Sequence, residues 1–240
     1  MPDPLIELVD KIKTLGPVVI SVVLYGSAAS GDHHESFSDY NVLCVVRQLT
    51  PVELEQFEPV VRWWREQGNP SPLLLTEHEL RTSTDCFAME FHDMKENRRI
   101  LYGSDPIADL AVDYSFYRAQ VEYELRSKLL RLRQKASGIL SDKEVLLRLL
   151  ADSVSTFCVL FRHALILDGE SVAAQKRDVI AAAGRQFGLE TGPFETLLDV
   201  REKRVKPKDV TPNELLAVYL REIDRVIERV DVLEKNHRSA

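Results

Sequence analysis

Asp39 and Asn41 stand two positions apart at the opening of an apolar run, Tyr40 to Val46, and the pair Gly26-Ser27 closes an earlier one, Val18 to Tyr25, with Ser27 twelve positions before Asp39. In a strand, side chains alternate between faces, so positions 39 and 41 project from the same face about 6.6 Å apart. Two such oxygen donors can clamp a divalent cation. A glycine lets the backbone approach an anion, while backbone amides and a serine hydroxyl hold phosphate oxygens. Glu90, inside Phe87-Ala88-Met89-Glu90-Phe91, is a third candidate ligand, because an isolated acid in an apolar strand is costly to bury unless it is paired, protonated or coordinating. Each feature alone has a plainer explanation: a turn for Gly26-Ser27, a cap for Asp39, an edge-strand acid in water for Glu90. Together they describe a phosphate beside a metal ion.

The elements that must position these residues are legible from periodicity. Leu5 to Leu15 has helical spacing and stops at Gly16-Pro17, after which Val18 to Tyr25 reads as a buried strand. Gly26 to Ser38 has the composition of a loop with a short helical turn, and Tyr40 to Val46 returns to strand. Pro51 to Gln67 reads as an amphipathic helix, Leu73 to Leu75 as a short strand, and Phe87 to Phe91 as another, with Ala88, Glu90 and His92 on one face. From about Tyr114 onward only helical periodicity is present, in segments Tyr114 to Gln134, Asp142 to Leu167, Ser171 to Phe187, Phe194 to Glu202 and Pro212 to Leu233. Strands first and helices later predict an α+β chain of two parts, residues 1–110 and 111–240, the first a mixed sheet with flanking helices and the second an all-α bundle.

The bulk composition narrows the partners. The 240 residues are 45% hydrophobic and 29% charged, an ordinary globular balance. A net charge of -7 argues against nucleic acid as the partner. No stretch approaches the roughly 18 uninterrupted apolar residues of a membrane span, and the opening Met1-Pro2-Asp3-Pro4-Leu5 lacks the pattern of a signal peptide, so a cytoplasmic location is expected. The three cysteines, Cys44, Cys86 and Cys158, are scattered and odd in number, as reduced thiols used for packing would be.

The run Leu24-Tyr25-Gly26-Ser27-Ala28, Gly31, then Ser38-Asp39-Tyr40-Asn41-Val42-Leu43 resembles the signature of the DNA polymerase β-like nucleotidyltransferase superfamily, which includes antibiotic nucleotidyltransferases. The stretches Ala88 to Met94, Ile100 to Asp105 and Phe161 to Glu170 are similar to bacterial members with a helical C-terminal domain. The resemblance implies that an acceptor hydroxyl attacks the α-phosphate of a nucleoside triphosphate and pyrophosphate leaves. It implies Mg²⁺ or Mn²⁺ as cofactor, since two ions about 3.5–4 Å apart assist such a displacement. Gly26 and Ser27 would cradle the triphosphate, Asp39 would bridge the metals, and Glu90 would complete the acceptor-side metal or act as base. On that reading the acceptor would be a small molecule or a protein, expected between the two parts, and a homodimer is left open.

At position 41 the chain departs from that pattern, which calls for a second acid. Asn41 offers magnesium a carboxamide oxygen without charge, and Mg²⁺ is a hard ion that relies on carboxylates and phosphates. Two readings stand side by side: a metal-dependent nucleotidyltransferase, and a catalytically impaired relative that binds a nucleotide or a partner. His92 and Asp93 are alternative ligands close to Glu90. A purely structural helical protein leaves the apolar strands around residues 18–46 unexplained.

Other residues carry less. Lys95 and Arg98, with Arg99, follow Glu90 closely and are candidate phosphate contacts against a default of surface charge. Asp32-His33-His34-Glu35 holds metal-ligand types in a loop, where solvation is the simpler reading. Arg162-His163 interrupts an apolar helix face, but no His follows an Arg with four to six residues between, so an RNase motif is excluded. Adjacent Trp63 and Trp64 point about 100° apart on a helix, which leaves one ring for the core and one for the surface.

Overall fold

The computed structural model describes residues 3–29, 40–172 and 175–237. The chain divides into two compact units, Met1–Phe116 and Tyr117–Ala240. The first holds α1 (Pro4–Lys13), β1 (Val19–Tyr25), β2 (Asn41–Val46), α2 (Pro51–Glu66), β3 (Leu73–Thr76), α3 (Glu77–Thr82), α4 (Ala88–Glu96) and β4 (Arg98–Gly103). The second holds α5 (Tyr117–Ser137), α6 (Lys143–Leu167), α7 (Lys176–Phe187), α8 (Gly192–Arg201) and α9 (Pro212–His237). A mixed α+β region followed by an all-α bundle is the fold class the sequence predicts. Among the described residues no helix is long and apolar enough to cross a membrane.

The sheet order is β3-β2-β1-β4. β1 pairs antiparallel with both β2 and β4, while β2 and β3 are parallel and joined through α2. β1 and β2 are apolar at nearly every position because both faces of the sheet are covered. On one face Val22, Leu24, Val42, Cys44 and Val46 pack with Leu8 and Ile12 of α1 and Phe57 and Trp64 of α2. On the other, Val23, Leu43 and Val45 pack with Leu80 of α3, Phe91 and Met94 of α4, and Ile107 and Leu110. Burying one such aliphatic or aromatic side chain contributes about 1.5–3 kcal/mol, so the two central strands anchor this unit.

Local signals set the edges. Thr50 and Glu53 form a capping box at the start of α2, and Thr76 and Glu79 form another at the start of α3. Gly103 ends β4 at φ +77, where an added Cβ would sit 2.0 Å from the Ile20 carbonyl oxygen, so only glycine fits. Beside it the fully buried Ser21 donates its hydroxyl to Ser104 O at 2.7 Å. Trp64 is buried, and Trp63 is half-buried beneath the Lys11 ammonium, 4.8 Å from the ring centroid. Cys44 and Cys158 are buried, each thiol pushed up to about 12 by burial, whereas Cys86 is exposed rather than part of a core.

In the second unit, α6 packs against each of the four other helices. Its Phe157 and Phe161 meet Phe194 of α8 and Tyr219 of α9 in an aromatic cluster, with the Phe194 and Tyr219 centroids 4.9 Å apart. Three polar groups in this core have partners. Tyr219 shares a 3.0 Å hydrogen bond with Ser153, His163 Nδ1 lies 2.6 Å from the Tyr117 hydroxyl, and the buried Glu222 accepts from Arg221, Arg225 and the Glu190 amide.

One prediction fails in a way that matters for the site. Phe87 to Phe91 is not a strand, and the segment forms α4. Five alternating residues fit a period of two, but the buried positions extend as Ala88, Phe91 and Met94, a spacing of three that only a helix places on one face. The fourth strand lies beyond, at Arg98–Gly103, where two arginines at its start mask the apolar pattern.

Candidate functional site

Tyr25 ends β1 in register with Asn41 at the start of β2 on one side and with Arg98 at the start of β4 on the other. Strand alternation puts Tyr25 and Asn41 on the face that carries Val23 and Leu43, which is the face α4 covers. Gly26 follows at φ +76 and opens a 3-10 turn, Gly26–Ala28, closed by the Ala29 amide on Gly26 O at 2.9 Å. A Cβ placed on Gly26 would lie 3.3 Å from Asn41 Nδ2. The Gly26 amide donates to Asn97 O at 3.2 Å, which ties the turn to the residue that ends α4. With its own N–H engaged, what Gly26 contributes to this turn is the lack of a side chain.

Glu90 lies in the first turn of α4 and is exposed, so the expected cost of burying it in a strand does not arise. A carboxylate there is favoured by the helix macrodipole. Its charge is felt at the end of β1: burial first, then the negative charge of Glu90, raises the pKa of the Tyr25 phenol. Further along α4, His92 Nδ1 is 2.9 Å from the Tyr114 hydroxyl and its Nε2 is 3.3 Å from Glu96 Oε1. Lys95 donates to Leu110 O at 2.8 Å. Arg98 holds Asp105 through Nε and Nη2, both 2.9 Å or less from Oδ2 at 2.9 and 2.8 Å, and also reaches Lys95 O. The two candidate phosphate contacts, Lys95 and Arg98, thus have partners within the unit.

Asp39, Ser38 and the Asp32 to Glu35 group lie outside the described residues, as does the side chain of Ser27. Among the described residues no group of three or more His, Cys, Asp or Glu could share a metal ion. The described candidate donors at this end of the sheet are one neutral carboxamide, Asn41, beside Gly26, and one exposed carboxylate, Glu90, whose charge acts on Tyr25. Sequence reasoning named Gly26, Asn41 and Glu90, and the structure brings them to one end of the sheet. It missed Tyr25, hidden as the last residue of an apolar strand. It also missed Tyr114, which meets His92 from 22 positions away with no local signal.

A family profile described as nucleotidyltransferase domain matches residues 5–135, more than half of the chain and through most of α5. The chain belongs to the nucleotidyltransferase domain family. The chain is also similar in fold to the crystal structure of spectinomycin adenyltransferase AAD(9) from Enterococcus faecialis with ATP and spectinomycin. The two are 14% identical over 94% of this chain and 98% of that one, with a TM-score of 0.57. A toxin-antitoxin structure with AMP-PNP aligns at 14% identity over 57% of this chain and 94% of that one, but its TM-score of 0.32 is too low to carry a shared fold. No curated protein matches the chain in sequence.

Proposed function

We propose that this member of the family binds a nucleoside triphosphate against the Gly26-Ser27 turn and transfers its nucleoside monophosphate to an acceptor hydroxyl. The observation that carries the reading is the convergence of Gly26, Asn41 and α4 at one end of the sheet, with Gly26 tied to Asn97 and Glu90 acting on Tyr25. Gly26 keeps the turn free of side-chain bulk, and Ser27 offers its amide and hydroxyl to phosphate oxygens. Glu90, exposed in the first turn of α4, takes the proton from the acceptor hydroxyl as the oxygen–phosphorus bond forms and pyrophosphate departs. A divalent ion, Mg²⁺ or Mn²⁺, held by Asp39, the Asn41 carboxamide oxygen and the triphosphate, would neutralise charge on the transferring phosphoryl group.

Asn41 supports a second reading, in which the cleft binds nucleotide without turnover. A carboxamide in place of a carboxylate removes a full charge from the ligand set, and metal stabilisation of phosphoryl transfer is worth several kcal/mol. Calorimetric titration with ATP and the other triphosphates, with and without Mg²⁺, followed by pyrophosphate release with candidate acceptors, tests both. Metal-dependent binding and release that Asp39→Ala abolishes is the result expected of the transferase. Metal-indifferent binding that becomes metal-dependent in Asn41→Asp would replace it with the non-catalytic reading. No triphosphate binding would overturn both.

A further inference from the structure

The outward face of α5 carries an exposed pattern arranged about one central residue. Val121, Leu125, Leu129, Leu132 and Ala136 are buried and turn the helix toward α6 and α9. On the other side stand Tyr123 and Leu130, 68% and 58% exposed and about two turns apart. Ser127 lies between them on the same face, and Glu124 and Arg131, one position further on, form a charged flank. Single apolar residues on a surface are ordinary. Here the apolar pair and the charged pair share one centre.

Ser127 is the middle residue of the 21 in α5. At the helical rise, Tyr123 lies about 6 Å before it and Leu130 about 4.5 Å after it, while Glu124 lies about 4.5 Å before and Arg131 about 6 Å after. A two-fold axis at Ser127 that sets a second α5 antiparallel to the first brings Tyr123 level with Leu130 of the second copy. The same axis brings Glu124 level with Arg131 of the second copy, each match being within about 1.5 Å along the helix. Two-fold symmetry also keeps each flank against its own counterpart, so apolar pairs fall on one side and ion pairs on the other. At the crossing Ser127 meets itself, and so small a side chain lets the helices approach closely. The two helices overlap over their full length.

The charges favour this occupant over a polyanion. Arg126 is held by Glu122, Lys128 by Glu124 at 3.3 Å, and Arg133 by Asp224 of α9, so these cations are already engaged within the chain. Arg131 is exposed and pairs with no acid among the described residues. A parallel arrangement would set Glu124 on Glu124 and Arg131 on Arg131, whereas the antiparallel one joins opposite charges twice. We infer that a second copy of this chain docks antiparallel on the Tyr123, Ser127 and Leu130 face of α5, with Glu124 and Arg131 exchanged across the axis. A single helix pair is at the small end of specific interfaces, so the dimer is expected to form between about 1 μM and 1 mM chain. The inference does not rest on the transfer reading.

Analytical sedimentation of the full chain over that range tests it. Wild type is expected to pass from monomer to dimer. Glu124→Arg and Arg131→Glu each turn two attractive pairs per dimer into like-charge pairs, and each alone is expected to weaken association about tenfold or more. Mixed in equal amounts, the two variants are expected to associate with each other as wild type does, because one supplies only positive and the other only negative charge at the two positions. Misfolded variants cannot give that recovery. Leu130→Asp, at an exposed position, is expected to leave the chain monomeric. A wild type that stays monomeric up to about 1 mM overturns the inference. So does a dimer that the single variants leave unchanged, which places the contact on another surface, and so does a mixture that fails to recover.

Discussion

A Cβ on Gly26 would come within 3.3 Å of Asn41 Nδ2, so the loop after β1 and the first residue of β2 share one small space. The backbone of Gly26 is also at φ +76, the left-handed region that costs other residues about 1–2 kcal/mol. Its amide is bound to Asn97 O, which fixes the turn relative to α4 as well. One position thus joins the 3-10 turn after β1, the departure from the family's acid pattern at Asn41, and the helix carrying Glu90.

Gly26→Ala is therefore expected to lower unfolding stability by about 1–2 kcal/mol through backbone strain, before any crowding of Asn41 is added. Triphosphate binding should fall by more than stability predicts, because Asn41 must shift where the phosphates are proposed to lie. Urea unfolding and calorimetric titration of the same samples give the two quantities. Unchanged affinity in a folded Gly26→Ala protein would remove the turn from the binding site.

Asn41→Asp restores a charge beside Gly26 without changing side-chain size. Metal-dependent triphosphate affinity should rise at least the roughly tenfold that even outer-shell groups contribute at metal sites. The gain should vanish in the double variant with Asp39→Ala, since the two side chains are proposed to share an ion. A gain that survives loss of Asp39 would assign the new carboxylate to another role.

Arg98→Ala should act on stability rather than on nucleotide. The guanidinium makes paired contacts to Asp105, and the side chains are only 20% and 29% exposed. Burial pushes the Asp105 carboxyl up, and the hydrogen bonds from Arg98, Ile107 and Ala108, with the Arg98 charge, outweigh it and hold the pKa low. Losing a charged hydrogen-bond partner of this kind costs about 1.5–3 kcal/mol. Thermal unfolding should register that loss while triphosphate titration does not. A pure binding defect would return Arg98 to the nucleotide.

The parts of this arrangement that could be read in the sequence are those governed by local rules. β1 and β2 are legible because burial on two faces demands continuous apolar runs, and Gly26 because its pair with Ser27 at a strand exit, alone only a turn, is combined with Asp39 and Asn41 at the next strand. α3 also has a legible local signal, Thr76 with Glu79 three positions on. α4 was mistaken for a strand because Phe87 to Phe91 is too short to tell the two periods apart. Its true neighbours, Tyr25 and Tyr114, are brought to it by tertiary packing, which no spacing within the chain records.

Glu90 and Tyr25 provide a test of the site's geometry that needs no ligand. The Tyr25 phenol is held above its ordinary value of 10.0 by burial and, second, by the charge of Glu90. In Glu90→Gln the negative charge disappears, so the phenolate is opposed less and the Tyr25 pKa should fall, while remaining above 10.0 because burial persists. Spectrophotometric titration against a Tyr25→Phe reference isolates this phenol from the other tyrosines. Glu96→Gln, on the same helix but paired with His92, should leave the Tyr25 titration unmoved. If Glu90→Gln leaves it unmoved too, then Glu90 does not lie over the end of β1, and its role as the acceptor-side base falls with that placement.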